Sequence, residues 1–223
     1  MPARLPRRAS PAFTRIIWAG AALLVLIAVA MVTRRALSLS GVLTTRTAMS
    51  SAADVDAGFS AHPLLTFAHM LPGLAFMLLG PLQFVPSVRA RRPALHRLCG
   101  RIVLVSGVVV GVTALVMSPR MAIGGVNETA AVWFFGSFFL VALTNAFLAI
   151  RHGDRVRHRE WMIRMFAIGA AVAAIRPIVG VFFATNRLTA LTPREFFGIA
   201  FWLGFSLMAA LAETWIGYTR SRG

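Results

Sequence analysis

The chain has 223 residues, of which 58% are hydrophobic and only 13% are charged. A soluble domain of this length needs more charged surface to stay in solution, so the composition excludes an ordinary soluble protein and indicates a single membrane domain over residues 1–223. The formal net charge of +16 comes from arginine alone. The arginines cluster between apolar segments, which favours anionic lipid headgroups over nucleic acid as the expected partner.

Six apolar segments are long enough to cross a bilayer as helices, which takes about 20 residues each. They cover residues 16–33, 63–86, 101–119, 129–150, 160–183 and 196–217. Pro72 and Pro81 interrupt the second segment and Pro177 interrupts the fifth, which membrane helices tolerate when neighbouring helices satisfy the freed carbonyls. The sequence therefore predicts an all-α membrane bundle of six spans, with residues 34–62 as the longest outer loop.

The first apolar segment has two interpretations. Residues 1–15, followed by an apolar run that reaches small residues at positions 28–30, resemble a signal peptide with its cleavage site. Because the apolar run continues through Met31 and Val32, we expect an uncleaved membrane anchor. Cleavage would leave the topology of the other five spans unchanged.

Two short basic loops, residues 89–97 and 151–159, determine the predicted orientation. Counted on alternate sides of the six spans, sixteen arginines lie on the side of these loops, six lie on the other side, and Arg176 lies inside a span. Retained positive charge marks the cytoplasmic side of a membrane. We therefore expect both termini in the cytoplasm and the protein in a bacterial inner membrane.

Each basic loop places a histidine near the start of the next helix. Pro93 is suited to the first position of a helix, which makes His96 the fourth residue of that helix. Asp154 is suited to an N-cap, which makes His158 the fourth residue of its own helix. We expect the two imidazoles at similar depth near the cytoplasmic face.

This pair of histidines allows three interpretations. Two histidines from different helices at one depth can bind a haem iron from both faces, with Arg97 and Arg159 close enough for the propionates. Together with Glu213, which is predicted at a similar depth, they could instead hold zinc. The third interpretation is that both histidines only line a wet basic surface.

His69 and Arg176 are the ionisable residues expected deep inside spans, where such residues mark functional sites. His69 lies about two turns into the second segment and is a further cofactor ligand candidate, either with a partner other than histidine or in a five-coordinate site. Arg176 follows His158 by five helical turns and shares its face. It needs a polar partner, and Glu128 and Asn127 lie at a plausible depth. Arg176 would either form an ion pair that orients the bundle or contact a substrate or a propionate.

Three patterns in order along the chain carry a family resemblance. They are Gly80-Pro81-Leu82-Gln83, His96-Arg97-Leu98-Cys99-Gly100, and His158-Arg159-Glu160-Trp161-Met162-Ile163-Arg164. With them, residues 62–185 resemble a bacterial membrane-protein family called domain of unknown function 2306. The resemblance implies a polytopic membrane protein without an established activity. Its pattern singles out His69, Gln83, His96, Arg97, Gly100, His158, Trp161, Arg164 and Arg176.

The function that the sequence favours is binding of haem b through His96 and His158, in support of membrane electron transfer, with Arg164 among the cofactor-binding candidates. Two alternatives remain open. One is a metal-dependent membrane hydrolase that uses both histidines and Glu213, and the other is a transporter or structural protein without a cofactor, gated around His69 and Arg176. The sequence has no motif of a soluble hydrolase or nucleotide-binding enzyme.

Overall fold

The structure, a computed structural model, describes residues 11–40 and 57–220. The main helices of these ranges are α1 (Pro11–Leu39), α2 (Pro63–Leu79), α3 (Pro86–Arg91), α4 (Pro93–Met121), α5 (Gly125–Arg151), α6 (Arg155–Thr189) and α7 (Pro193–Arg220), and residues 57–61 are also helical. A 3₁₀ turn, Pro81–Phe84, joins α2 to α3. Within the described ranges six helices are long and apolar enough to cross a membrane, which confirms the predicted all-α architecture of six spans.

Several helices run beyond the apolar segments that predicted them. The first span was expected to end at residue 33, but α1 continues to Leu39, so residues 34–39 of the predicted outer loop are helical. Residues 41–56 of that loop lie outside the described residues. Pro72 lies inside α2 and Pro177 inside α6, as expected for prolines that membrane helices tolerate.

The segments predicted as basic loops are mostly helical, and the prediction of loops was wrong there. Residues 86–91 form α3 and α4 begins at Pro93, so Arg92 alone separates the two helices. Between α5 and α6 the turn is residues 152–154. The arginines of both segments therefore lie mainly on helix ends. We call the end of the bundle that carries these two segments the basic end, and the other end the opposite end.

The predicted helix starts in these segments are confirmed. Pro93 is the first residue of α4, where its missing N–H costs no hydrogen bond. Asp154 precedes α6, and its Oδ1 accepts a hydrogen bond of 2.9 Å from the backbone N–H of Arg157, as an N-cap does. His96 and His158 are consequently each the fourth residue of their helices.

The helices pack in a closed sequence of neighbours. Helix α4 packs between α2 and α5, and α6 packs between α5 and α7. Helix α7 also contacts α5, while α1 lies against α2 and α6. Helices α2, α4, α5 and α6 therefore surround one hydrophobic core.

Phenylalanines fill the middle of this core. The Phe76 ring lies 5.6 Å from that of Phe139 and 5.8 Å from that of Phe166, measured between centroids. Phe76 is 2% exposed, and Gly169 allows its close approach, because a Cβ at Gly169 would lie 2.5 Å from Phe76 Cε1. We call Phe76, Phe139 and Phe166 the phenylalanine layer; it separates the polar groups of the two ends.

Candidate functional site

The structure brings His96 and His158 together at the basic end. Both imidazoles are partly buried, and the charges of His158, Arg89 and Arg97 act on the His96 ring. The arrangement follows from the two helix starts, which set both rings one turn inside their helices. Both histidines therefore lie one turn into their helices at the basic end, and their charges interact.

The tautomer of His158 follows from its hydrogen bond. Its Nδ1 lies 2.7 Å from the carbonyl oxygen of Ala146 in α5. Since a carbonyl can only accept, Nδ1 carries the proton and donates it, which leaves the lone pair of a neutral ring on Nε2. Histidines that bind metals are commonly held in this way, with the second nitrogen donating to a backbone carbonyl.

Two buried polar atoms at the basic end have no partner among the described residues. They are His96 Nδ1 and Gln83 Nε2. Gln83 reaches the cluster from the 3₁₀ turn after α2, and Gly100 makes room for it, because a Cβ there would lie 3.1 Å from Gln83 Oε1. An unsatisfied buried polar group costs about 1–3 kcal/mol. Two such groups at the basic end favour a ligand that would satisfy them.

We call Gln83, Arg89, His96, His158 and Arg159 the paired-histidine cluster. Arg159 Nη1 donates to Thr219 Oγ1 of α7 at 3.2 Å, and the charge of Arg89 acts on Arg159. Arg97 is exposed at the rim. The cluster is therefore strongly basic, which suits an anionic ligand.

Sequence reasoning missed Glu160, which anchors α7 beside the cluster. Its carboxylate is 6% exposed and accepts from both Nε and Nη2 of Arg220. The sequence does show an acidic residue inside an arginine-rich helix start. This pattern could have indicated an ion pair, because a buried carboxylate requires a cationic partner. The partner itself lies 60 residues away and belongs to another helix.

Removal of the Arg220 side chain is expected to destabilise the protein, because it leaves the Glu160 carboxylate buried without its hydrogen-bonding partner. We expect Arg220→Ala to lower the melting temperature in detergent more than Arg157→Ala, since the Arg157 side chain is exposed. Glu160→Gln in the Arg220→Ala background should restore part of the loss. Equal melting temperatures for Arg220→Ala and Arg157→Ala would contradict the anchoring role of Glu160.

Glu213 is paired with Arg164, whereas the zinc interpretation required it beside the two histidines. Arg164 donates to it with Nε at 2.6 Å and Nη2 at 2.8 Å, and Trp161 packs on the guanidinium at 4.8 Å from its ring centroid. In the part of the chain that the structure describes, no three His, Cys, Asp or Glu side chains are grouped to hold a metal ion. Cys99 is a free, buried thiol.

His69 lies at the opposite end and does not join the paired-histidine cluster. Its Nδ1 is 2.9 Å from Thr113 Oγ1, and Thr113 follows His96 on α4 by 17 residues, or roughly 25 Å along the helix. The Thr113 hydroxyl donates its proton to the carbonyl of Val109 at 2.6 Å, so it accepts from His69 Nδ1. His69 therefore packs α2 onto α4.

Arg176 belongs to a second cluster at the opposite end. The charges of Arg35 and Glu128 act on its guanidinium. Glu128 is 7% exposed, and its Oε2 accepts the backbone N–H of Gly124 at 2.7 Å. Arg35 is 7% exposed and lies over the Phe59 ring at 4.0 Å. We call Arg35, Glu128 and Arg176 the buried-arginine cluster; Glu128, which the sequence suggested as a partner, is part of it.

Comparison with known proteins identifies one family. A family model described as "Predicted membrane protein (DUF2306)" matches residues 66–216, which is more than half of the chain. The match extends through most of α7, beyond the limit of residue 185 expected from the sequence patterns, so it includes Glu213 as well as both histidines. No curated protein and no solved structure matches the chain.

Proposed function

We propose that this chain, which belongs to the DUF2306 family of predicted membrane proteins, binds haem b through its paired-histidine cluster. The bound haem would serve membrane electron transfer. The observation that carries the proposal is the pair of imidazoles: Ala146 holds His158 as the tautomer with its lone pair on Nε2, and His96 Nδ1 is buried without a partner among the described residues. A ligand that binds both rings would satisfy His158 Nε2 and His96 Nδ1.

The donor set suits haem iron. Haem iron binds neutral imidazole nitrogens, and Ala146 holds His158 as the tautomer that it would need as a ligand. His96 reaches the same place from α4, so the two ligands come from helices with little other contact. The bound group would supply one-electron chemistry, and His96 and His158 would hold and orient it.

The charge of the cluster suits the rest of that cofactor. Haem carries two propionates, and Arg89, Arg97 and Arg159 supply the cations around the imidazoles. Arginine is well adapted to carboxylates, because its planar fork can donate two hydrogen bonds to one group. Gln83 Nε2 is a further donor without a partner among the described residues.

The test is haem content. Protein expressed with ample haem and purified in detergent should carry about one haem per chain and show a Soret band. A colourless preparation that also fails to take up added haem would overturn the proposal.

A second candidate, transport of an anion without a cofactor, is favoured by the buried-arginine cluster. It places Arg176 at the far side of the phenylalanine layer from the paired histidines, so cationic groups lie at both ends of one core. If the protein transports an anion, citrate or inorganic phosphate should raise the melting temperature of the wild type but not that of Arg176→Gln. No effect of either anion would exclude it for these two ligands.

We further propose that the basic end faces the cytoplasm of a bacterial inner membrane, which the arginine count supports. The prediction uses single cysteines in a Cys99→Ala background. Val126→Cys, 85% exposed at the start of α5, should react with an impermeant maleimide in intact spheroplasts. His152→Cys, in the exposed turn before α6, should react only after permeabilisation, and the reverse pattern would invert the orientation.

A further inference from the structure

An open groove lies between α5, α6 and α7, near the basic end but apart from the paired histidines. It has a volume of about 220 Å³. Phe138 and Ile168 form its walls, Ala209, Ala210 and Ala212 line it from α7, and the Arg164–Glu213 ion pair closes one end. The three alanines make the groove possible, because longer side chains there would fill it.

The polar end of the groove offers both donors and acceptors without net charge. Arg164 uses Nε and one Nη2 hydrogen for Glu213, so three of its five N–H groups are not used in that pair. The Glu213 side chain is 55% exposed and that of Arg164 only 15%. A ligand in the groove can therefore meet a guanidinium donor and a carboxylate acceptor side by side.

These features restrict the chemistry of the occupant. The lining is mainly apolar and the rim residue Ala210 is exposed, so a lipid-soluble molecule can enter from the bilayer. A phosphate headgroup would meet the negative charge of Glu213, whereas an uncharged group with carbonyl or hydroxyl oxygens can bind both partners. Phe138 can stack on a planar ring.

We infer that this groove, the alanine groove, binds the ring of an isoprenoid quinone or quinol, with the carbonyl or hydroxyl oxygens at Arg164 and Glu213 and the tail leaving past Ala210 into the bilayer. The inference goes beyond haem binding and rests on the groove alone. If haem is also bound, the two sites are neighbours, because Arg164 follows His158 on α6 by six residues, or about 9 Å along the helix.

The experiment is calorimetric titration of the purified full chain in detergent with decylubiquinone, after subtraction of titrations into empty micelles. We expect saturable binding of one quinone per chain. Ala209→Phe, which fills the groove, should weaken it at least tenfold, and Phe138→Ala, which removes the stacking ring, should weaken it as well. Ala68→Phe, at an exposed position of α2, is the matched control and should bind like the wild type.

Three results would overturn the inference: no saturable binding, equal binding by the wild type and Ala209→Phe, or displacement of the quinone by phosphatidylglycerol at equal concentration. Phe138→Ala keeps the test valid if Ala209→Phe does not fold, which gel filtration would show. The same titration with His158→Ala separates this site from the haem site, because quinone binding should persist when the haem ligand is absent.

Discussion

Replacement of His158 by alanine is expected to abolish stable haem binding. The ring supplies the Nε2 lone pair, and its Nδ1 is already committed to the carbonyl of Ala146 at 2.7 Å. Loss of a partner that merely orients a metal ligand weakens binding by about 10- to 100-fold, so loss of the ligand itself should exceed that range. Haem titration followed by absorbance measures the affinity.

The matched control for this prediction is His152→Ala. His152 belongs to the same basic segment, but it lies exposed in the turn before α6, so its loss should leave haem affinity unchanged. His158→Met provides a second control, because a thioether can replace one imidazole as an axial ligand and should restore part of the binding. Equal haem affinity in His158→Ala and His152→Ala would refute the role of His158.

Gly169→Leu is expected to lower stability strongly by overpacking the core. A Cβ at this position would lie 2.5 Å from Phe76 Cε1, 2.9 Å from Phe76 Cζ and 3.3 Å from Phe139 Cε2. Phe76 cannot swing away easily, because Phe139 and Phe166 hold it from two sides. Overpacking of this kind costs about 1–3 kcal/mol, which thermal unfolding in detergent would detect.

Gly180→Leu is the control on the same helix. Nothing lies within 4 Å of a Cβ built at Gly180, so leucine there should be neutral or slightly stabilising, since it favours helix more than glycine does. If both variants unfold at the same temperature, the close packing of Phe76 on Gly169 does not limit stability.

The features that local sequence signals determine could be predicted from the sequence. The six spans follow from apolar length, and the matching positions of His96 and His158 follow from Pro93 and Asp154, which define helix starts within a few residues of each histidine. The family pattern marked Gln83 in the same way. These predictions needed no knowledge of which helices touch.

The partners of charged residues depend on helix packing, and the sequence could not give them. Glu213 was expected near the two histidines from its depth alone, but α7 packs beside α6 with Arg164 facing it. Glu160 was overlooked because its partner, Arg220, lies at the far end of the next helix. The direction in which these side chains point depends on the packing of α6 and α7, which local sequence signals do not determine.

The central claim is that His96 and His158 bind one haem together, and electron paramagnetic resonance of the oxidised, haem-loaded protein tests it most directly. Two axial imidazoles should give a low-spin signal in the wild type, which His96→Ala should lose in favour of a high-spin signal and His158→Ala should lose together with the bound haem. A low-spin signal that survives in both single variants, or a wild type that binds no haem, would contradict the claim.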